Sequence, residues 1–155
     1  MGTIVIKPSD AYDVFKLKKL RREDEEELEA LNKTPQQSLL RGFIFSDECF
    51  SVWHENEIIG MFGVSSFNLP KGFCTVWFLG NDECTKHPVS FVKEGKKYIN
   101  KWLKKYDLIM NAVYEKNKTH IAWLKAVGVS FSSSVIINNH KFIQFYKVKE
   151  HLNNV

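Results

Sequence analysis

Cysteine is scarce and unpatterned in this chain. Cys49, Cys74 and Cys84 show no C-x-x-C spacing and are odd in number, which suggests neither a zinc site nor a disulfide framework, and no metal ligands are expected. Long apolar runs are missing too: no stretch reaches the roughly 18 residues that would span a bilayer. Met1-Gly-Thr-Ile-Val-Ile leads into a strand rather than a signal peptide, and Ile6 stands where a myristoylation signal needs Ser or Thr. A cytoplasmic protein with no membrane segment is expected. Repeats, low-complexity tracts and compositional breaks are absent, so residues 1–150 are expected to form one domain, with 151–155 a frayed polar tail.

What is present is ordinary for a globular core, with 44% hydrophobic and 26% charged residues. The net charge of +4 is unevenly spread: residues 1–77 carry 9 Lys and Arg against 12 Asp and Glu, and residues 78–155 carry 13 against 6. From Pro88 to Tyr106 the apolar positions Phe91, Val92, Gly95, Ile99, Trp102, Leu103 and Tyr106 share one helical arc, with Lys93, Lys97, Lys101 and Lys104 opposite. No aromatic residue interleaves with those lysines and no nucleic-acid motif accompanies them. A solvated face is expected rather than a DNA surface.

The run Lys18-Lys19-Leu20-Arg21-Arg22 followed by Glu23–Glu27 reads as an exposed helix supported by opposite charges three and four residues apart. A strand at Thr3–Lys7 precedes it, and the helix starting after Ser9 or Asp10 is expected to break near Arg22–Asp24. Thr34-Pro35 opens another helix, continued by Ser38–Phe45. Strands Cys49–Glu55 and Ile58–Phe67 flank a polar pair, Asn56-Glu57, suited to a hairpin turn. Phe73–Leu79 is a further strand, and Phe131–Ile137 with Phe142–Val148 form a terminal hairpin about Asn138–Lys141.

The segment from Asp107 to Phe131 organises the rest. Leu108–Tyr114 is an almost unbroken apolar run of strand length, suited to a strand covered on both faces. Asn117 can cap the helix His120–Val127, which Gly128 ends. The order β-α-α-β-β-β-α-β-α-β-β predicts an α/β fold on a mixed, mostly antiparallel sheet flanked by helices. Asn111 is the one strongly polar residue in its strand; it either fills a gap between strands or points at a ligand.

This order resembles the GNAT superfamily of acyl-CoA-dependent N-acyltransferases, and Asn117 followed by Gly128 is similar to its late motif. A nearer resemblance, to the internal virion protein A family of short-tailed bacteriophages, is carried by Met61-Phe-Gly-Val64, Trp77-Phe-Leu-Gly-Asn-Asp-Glu83, His87-Pro88 and Asn111-x-Val113-x3-Asn117-x3-Ile121-x-Trp123-Leu124-x3-Gly128. That resemblance implies a phage or prophage product in particle assembly or host interaction, working in the infected host's cytoplasm or with the virion, beside a phage structural or host protein.

The GNAT resemblance implies an acyl-CoA cleft at Phe78, Leu79, Gly80, Asn111 and Asn117, in which the pantetheine arm pairs with the free edge of Phe73–Leu79. The turn after that strand departs from the superfamily's glycine-rich pyrophosphate loop. It reads Gly80-Asn-Asp-Glu-Cys-Thr-Lys-His-Pro-Val-Ser90, and two carboxylates there oppose a diphosphate. Leu124 stands where many members have a Tyr acid. Acetyl-CoA binding is therefore expected to be weak or absent. In the alternative, an acetyl-CoA-dependent N-acetyltransferase acting on an amine of a small molecule or host protein, the Leu79 and Gly80 amides polarise the thioester. Asn117 then orders the cofactor arm, and His120 or a water moves protons. The contrary reading of His120 is a core-edge histidine bonded to a backbone carbonyl. His87 reads as a turn residue, and Cys84 has no His and Asp partners in the order of a thiol hydrolase.

Overall fold

A computed structural model describes residues 3–150; the tail expected at 151–155 lies outside them. Seven strands form one sheet in the order β1-β2-β3-β4-β5-β7-β6. They are β1 (Ile4–Pro8), β2 (Glu48–His54), β3 (Glu57–Ser65), β4 (Phe73–Gly80), β5 (Leu108–Tyr114), β6 (Ser130–Ile137) and β7 (His140–Val148). Every neighbouring pair is antiparallel except β4 with β5. The sheet is thus mixed and mostly antiparallel, as the pattern of elements predicts.

Helices cover both faces. Asp13–Lys16 (α1), Arg22–Ala30 (α2) and Pro35–Phe45 (α3) precede β2, Pro88–Trp102 (α4) joins β4 to β5, and Lys118–Val127 (α5) joins β5 to β6. Thr34 accepts the Gln37 N–H at 3.3 Å to start α3, with Pro35 in its first turn. Asn117 likewise accepts the His120 N–H at 3.2 Å, and Gly128 closes α5 at φ +93°. Among the described residues no helix is long and apolar enough to cross a membrane.

Two local expectations are corrected. The first helical stretch breaks at Leu17–Arg21 rather than at Arg22–Asp24, because Leu17 and Leu20 are both buried and the Arg21 N–H leaves the helix to bond Gly80 O at 2.8 Å. The β2–β3 hairpin turns one residue early, at Glu55-Asn56, with Glu55 at φ +58°. Nothing in the pair Asn56-Glu57 signalled that Glu55 would adopt a left-handed conformation. In the last hairpin Asn138 and Asn139 take φ +50° and +64°, the two-residue turn that matches strand twist.

On one face α4 and α5 pack over Val64, Ile109, Val113 and Phe145. Lys93, Lys97 and Lys101 of α4 are exposed, as is Lys104 just past its end, and Lys101 reaches Glu48 of β2 at 3.5 Å. Gly95 lies in the buried arc as its spacing requires, but it faces α5. A Cβ there would lie 2.6 Å from Trp123 Cζ2 and 2.9 Å from Val127 Cγ1. Gly95→Ala therefore trades a gain in helix propensity against overpacking, and a net loss of about 1–2 kcal/mol is expected in urea titrations. A more stable variant would mean that Trp123 can move aside. On the other face Val14, Leu17, Leu20, Leu28 and Leu39 pack against Ile58, Met61 and Leu79.

Candidate functional site

Strands β4 and β5 are in register only from Phe73 to Thr75 against Leu108 to Met110. Beyond that the strands part, and Asn111 bridges the opening: its Nδ2 donates to Val76 O at 2.7 Å while its Oδ1 accepts the Ala112 N–H at 2.8 Å. The opening is lined on both sides of the sheet. Toward α2 and α3 lies a cleft of about 280 Å³ bordered by Glu27, Arg41, Phe78, Leu79, Asn111 and His120. Toward α4 and α5 lies an apolar cavity of about 60 Å³, bordered by Phe78, Phe91, Gly95, His120 and Trp123 among others. Phe78 and His120 touch both.

The backbone of β4 along this opening follows the strand's two-residue alternation, so the groups of Val76, Phe78 and Gly80 face the same way. Those of Gly80 are already used. Its N–H donates to Asp24 Oδ2 at 3.2 Å and its carbonyl accepts the Arg21 N–H at 2.8 Å. Asp24 is completely buried and pairs with Arg21 through contacts of 2.9–3.2 Å. Its Oδ1 also accepts from Asn117 Nδ2 at 3.1 Å. Asn117 is itself fully buried, so both ends of its amide are engaged within the protein, one with α2 and one at the start of α5.

This network corrects the reading of Lys18–Glu27 as a solvated face. Leu20, Arg21, Asp24 and Leu28 are buried, and only Arg22 with Glu26 forms the exposed pair expected of a surface helix. The spacing carried a signal: Asp24 lies four residues from both Leu20 and Leu28, on the apolar side of the turn.

Glu27 is the second residue that sequence reasoning passed over. Its Oε1 accepts the Tyr114 N–H at 2.8 Å and faces Asn117 Nδ2 at 3.5 Å. Burial raises its carboxyl from 4.5 to about 7; the Asp24 charge adds to the rise, while the Tyr114 and Asn117 bonds and Arg21 oppose it. His120 retains some exposed surface, yet its Nδ1 is buried with no hydrogen-bond partner among the described residues. The bond to a backbone carbonyl expected of a core-edge histidine is not made by this nitrogen. Desolvation lowers its imidazole to about 4, Asp24 opposing and Arg21 assisting. A neutral histidine and a carboxyl that titrates near neutrality thus border one cleft. Cys84 is inert by contrast: its thiol donates to Ile59 O at 3.0 Å, and burial pushes it up to about 12.

The turn from Asn81 to His87 is a 3-10 helix at Asp82–Lys86. Asn81 Oδ1 accepts the Glu83 N–H at 3.0 Å, Thr85 Oγ1 donates to Asp82 O at 2.7 Å, and Lys86 holds Glu83 at 3.0 Å. These bonds hold the turn in place. The apolar cavity beyond is filled by rings: Phe78 meets Phe91 at 5.5 Å and Trp123 at 6.2 Å between centroids, and Trp123 Nε1 donates to Phe91 O at 3.1 Å.

Many solved structures share this fold. The structure of AAC(6')-Ib in complex with paromomycin and acetyl-CoA superposes with a TM-score of 0.70 at 11% identity, covering 99% of this chain and 97% of that one. A GNAT-family acetyltransferase from Bacillus anthracis superposes at 0.72 and 10% identity, covering 97% and 98%. The fold is that of the GNAT acetyltransferases. In sequence, residues 64–136 match the family described as bacteriophage T7 probable scaffold protein Gp13, which ties this GNAT fold to phage proteins. No curated protein matches.

Proposed function

We propose that this chain is a phage-encoded GNAT-fold protein that acts in particle assembly or host interaction without turning over acyl-CoA. The observation that carries this reading is Gly80. On the GNAT resemblance its amide would help polarise the thioester, and here Asp24 and Arg21 occupy both its N–H and its carbonyl. The acidic Asp82–Lys86 turn offers no glycine cradle for a diphosphate, and on the α4 and α5 side the opening narrows to an apolar cavity of about 60 Å³. These features support acyl-CoA binding that is weak or absent. The likeness of residues 64–136 to a probable phage scaffold protein supports an assembly role, of the kind the internal virion protein A resemblance implies. Residues 1–150 would act as one domain in the infected host's cytoplasm or in the virion, on a phage structural or host partner.

The rival reading, an N-acetyltransferase acting on an amine, draws on Glu27. A carboxyl with a pKa of about 7 at the cleft is suited to taking a proton from an ammonium group at neutral pH. It requires Asp24 to withdraw from Gly80. Calorimetry with acetyl-CoA separates the two: no saturable heat is expected up to millimolar coenzyme, whereas one-to-one binding at micromolar concentration would overturn the non-catalytic reading.

A further inference from the structure

We propose that His54, Glu83 and His87 form a binding site for a divalent transition-metal ion, of which zinc is the best match. The three residues come from separate elements. His54 ends β2, Glu83 lies in the 3-10 turn, and His87 links that turn to α4. One donor atom from each lies within 4.8 Å of the others. Glu83 Oε1 stands 3.4 Å from His54 Nδ1 and 3.7 Å from His87 Nε2. Around a tetrahedral zinc with bonds of about 2.0–2.1 Å, ligand atoms sit roughly 3.3 Å apart, so the two spacings to Glu83 need only small contractions, with the two imidazoles drawing together from within 4.8 Å.

The spacings suit an ion better than hydrogen bonds. Both exceed the usual N–H···O range of about 2.7–3.2 Å. The His87 Nε2 aimed at Glu83 is buried without a hydrogen-bond partner among the described residues. The His54 and His87 side chains are only 13% and 11% exposed, a degree of burial at which an imidazole nitrogen needs a partner.

The scaffold under the donors is fixed. Asn81 N–H and the Cys84 thiol both bond Ile59 O, at 2.9 and 3.0 Å, tying the turn to β3. The His87 N–H donates to Cys84 O at 3.2 Å. Lys86 takes the other Glu83 oxygen, Oε2, at 3.0 Å, which orients the carboxylate and leaves Oε1 for the ion; its ammonium opposes a cation but is 69% exposed and screened. A cavity of about 840 Å³, lined by His54, Glu83, Lys16, Lys18 and Lys19, adjoins the donors and gives a fourth ligand, water or an anion, a way in. Two imidazoles and one carboxylate suit zinc or cobalt(II), whereas magnesium and calcium favour oxygen shells.

The test uses untagged full-length protein stripped with a chelator. Calorimetry with zinc chloride should show one equivalent bound, with thermal unfolding raised by several degrees at excess zinc. Cobalt(II) should give the intense visible band of a four-coordinate site. His54→Ala and His87→Ala should each weaken zinc binding by at least about tenfold and abolish that band. Glu83→Gln, which keeps the shape of the turn, should weaken binding too and decides the matter if a histidine variant does not fold. Magnesium should give no signal. No zinc uptake by the parent protein, or uptake unchanged in the folded variants, would overturn the assignment.

Discussion

Asp24→Ala is expected to destabilise the fold by about 3–5 kcal/mol, the usual loss when one partner of a buried ion pair is removed and the other charge is stranded. Arg21 would lose a carboxylate it grips at 2.9–3.2 Å in a site where both residues are nearly sealed from water. The Gly80 N–H and Asn117 Nδ2 would lose an acceptor at the same time. Urea unfolding followed by circular dichroism measures the change. The double variant Arg21→Met, Asp24→Leu should cost less than the single one, since it removes both charges together. A loss below about 1 kcal/mol for Asp24→Ala would mean that Arg21 finds water or another acceptor, and that this network does not hold α2 to β4.

The second large effect belongs to Glu27. The folded protein keeps its proton up to about pH 7, while the unfolded chain releases it near 4.5. Between those values the folded state binds more protons, so this group's contribution falls as pH rises through the window and levels off above it, a change of roughly 3 kcal/mol for the full shift. His120 works in the opposite direction. Its folded pKa is lowered from 6.5 to about 4, so the folded state binds fewer protons between those values and stability rises with pH there. The two trends overlap, and the parent protein's pH profile mixes them. The difference between parent and Glu27→Gln isolates the carboxyl, because Gln Oε1 can still accept the Tyr114 N–H. The variant should gain on the parent steadily from about pH 4.5 to pH 7 in chemical unfolding. A constant difference across that range would show that Glu27 ionises normally.

The parts of the fold that were legible in the sequence are those whose signals are local. Leu108–Tyr114 announces a strand covered on both faces by its composition, and the polar Asn117 and left-handed Gly128 fix the two ends of α5. What was not legible depends on pairings distant along the chain. Arg21 and Asp24 resemble a surface helix pair in sequence, and only the arrival of Gly80, 56 residues beyond Asp24, makes them a buried clamp. The convergence of His54 with Glu83 and His87 depends on the pairing of β3 with both β2 and β4, which no short spacing encodes. Asn111 presented two readings because a lone polar residue in a strand looks the same whether it spans a gap or greets a ligand.

The short register between β4 and β5 makes the sheet two plates. One carries β1 to β4 and the other β5, β7 and β6; three residue pairs and the Asn111 bridge join them across the sheet. Each plate is laced internally by longer antiparallel ladders. A pull applied across the sheet would therefore part it at this seam before any hairpin gave way, and α2, clamped to Gly80 on one plate and to Asn117 and Tyr114 beside the other, is the strap that resists it.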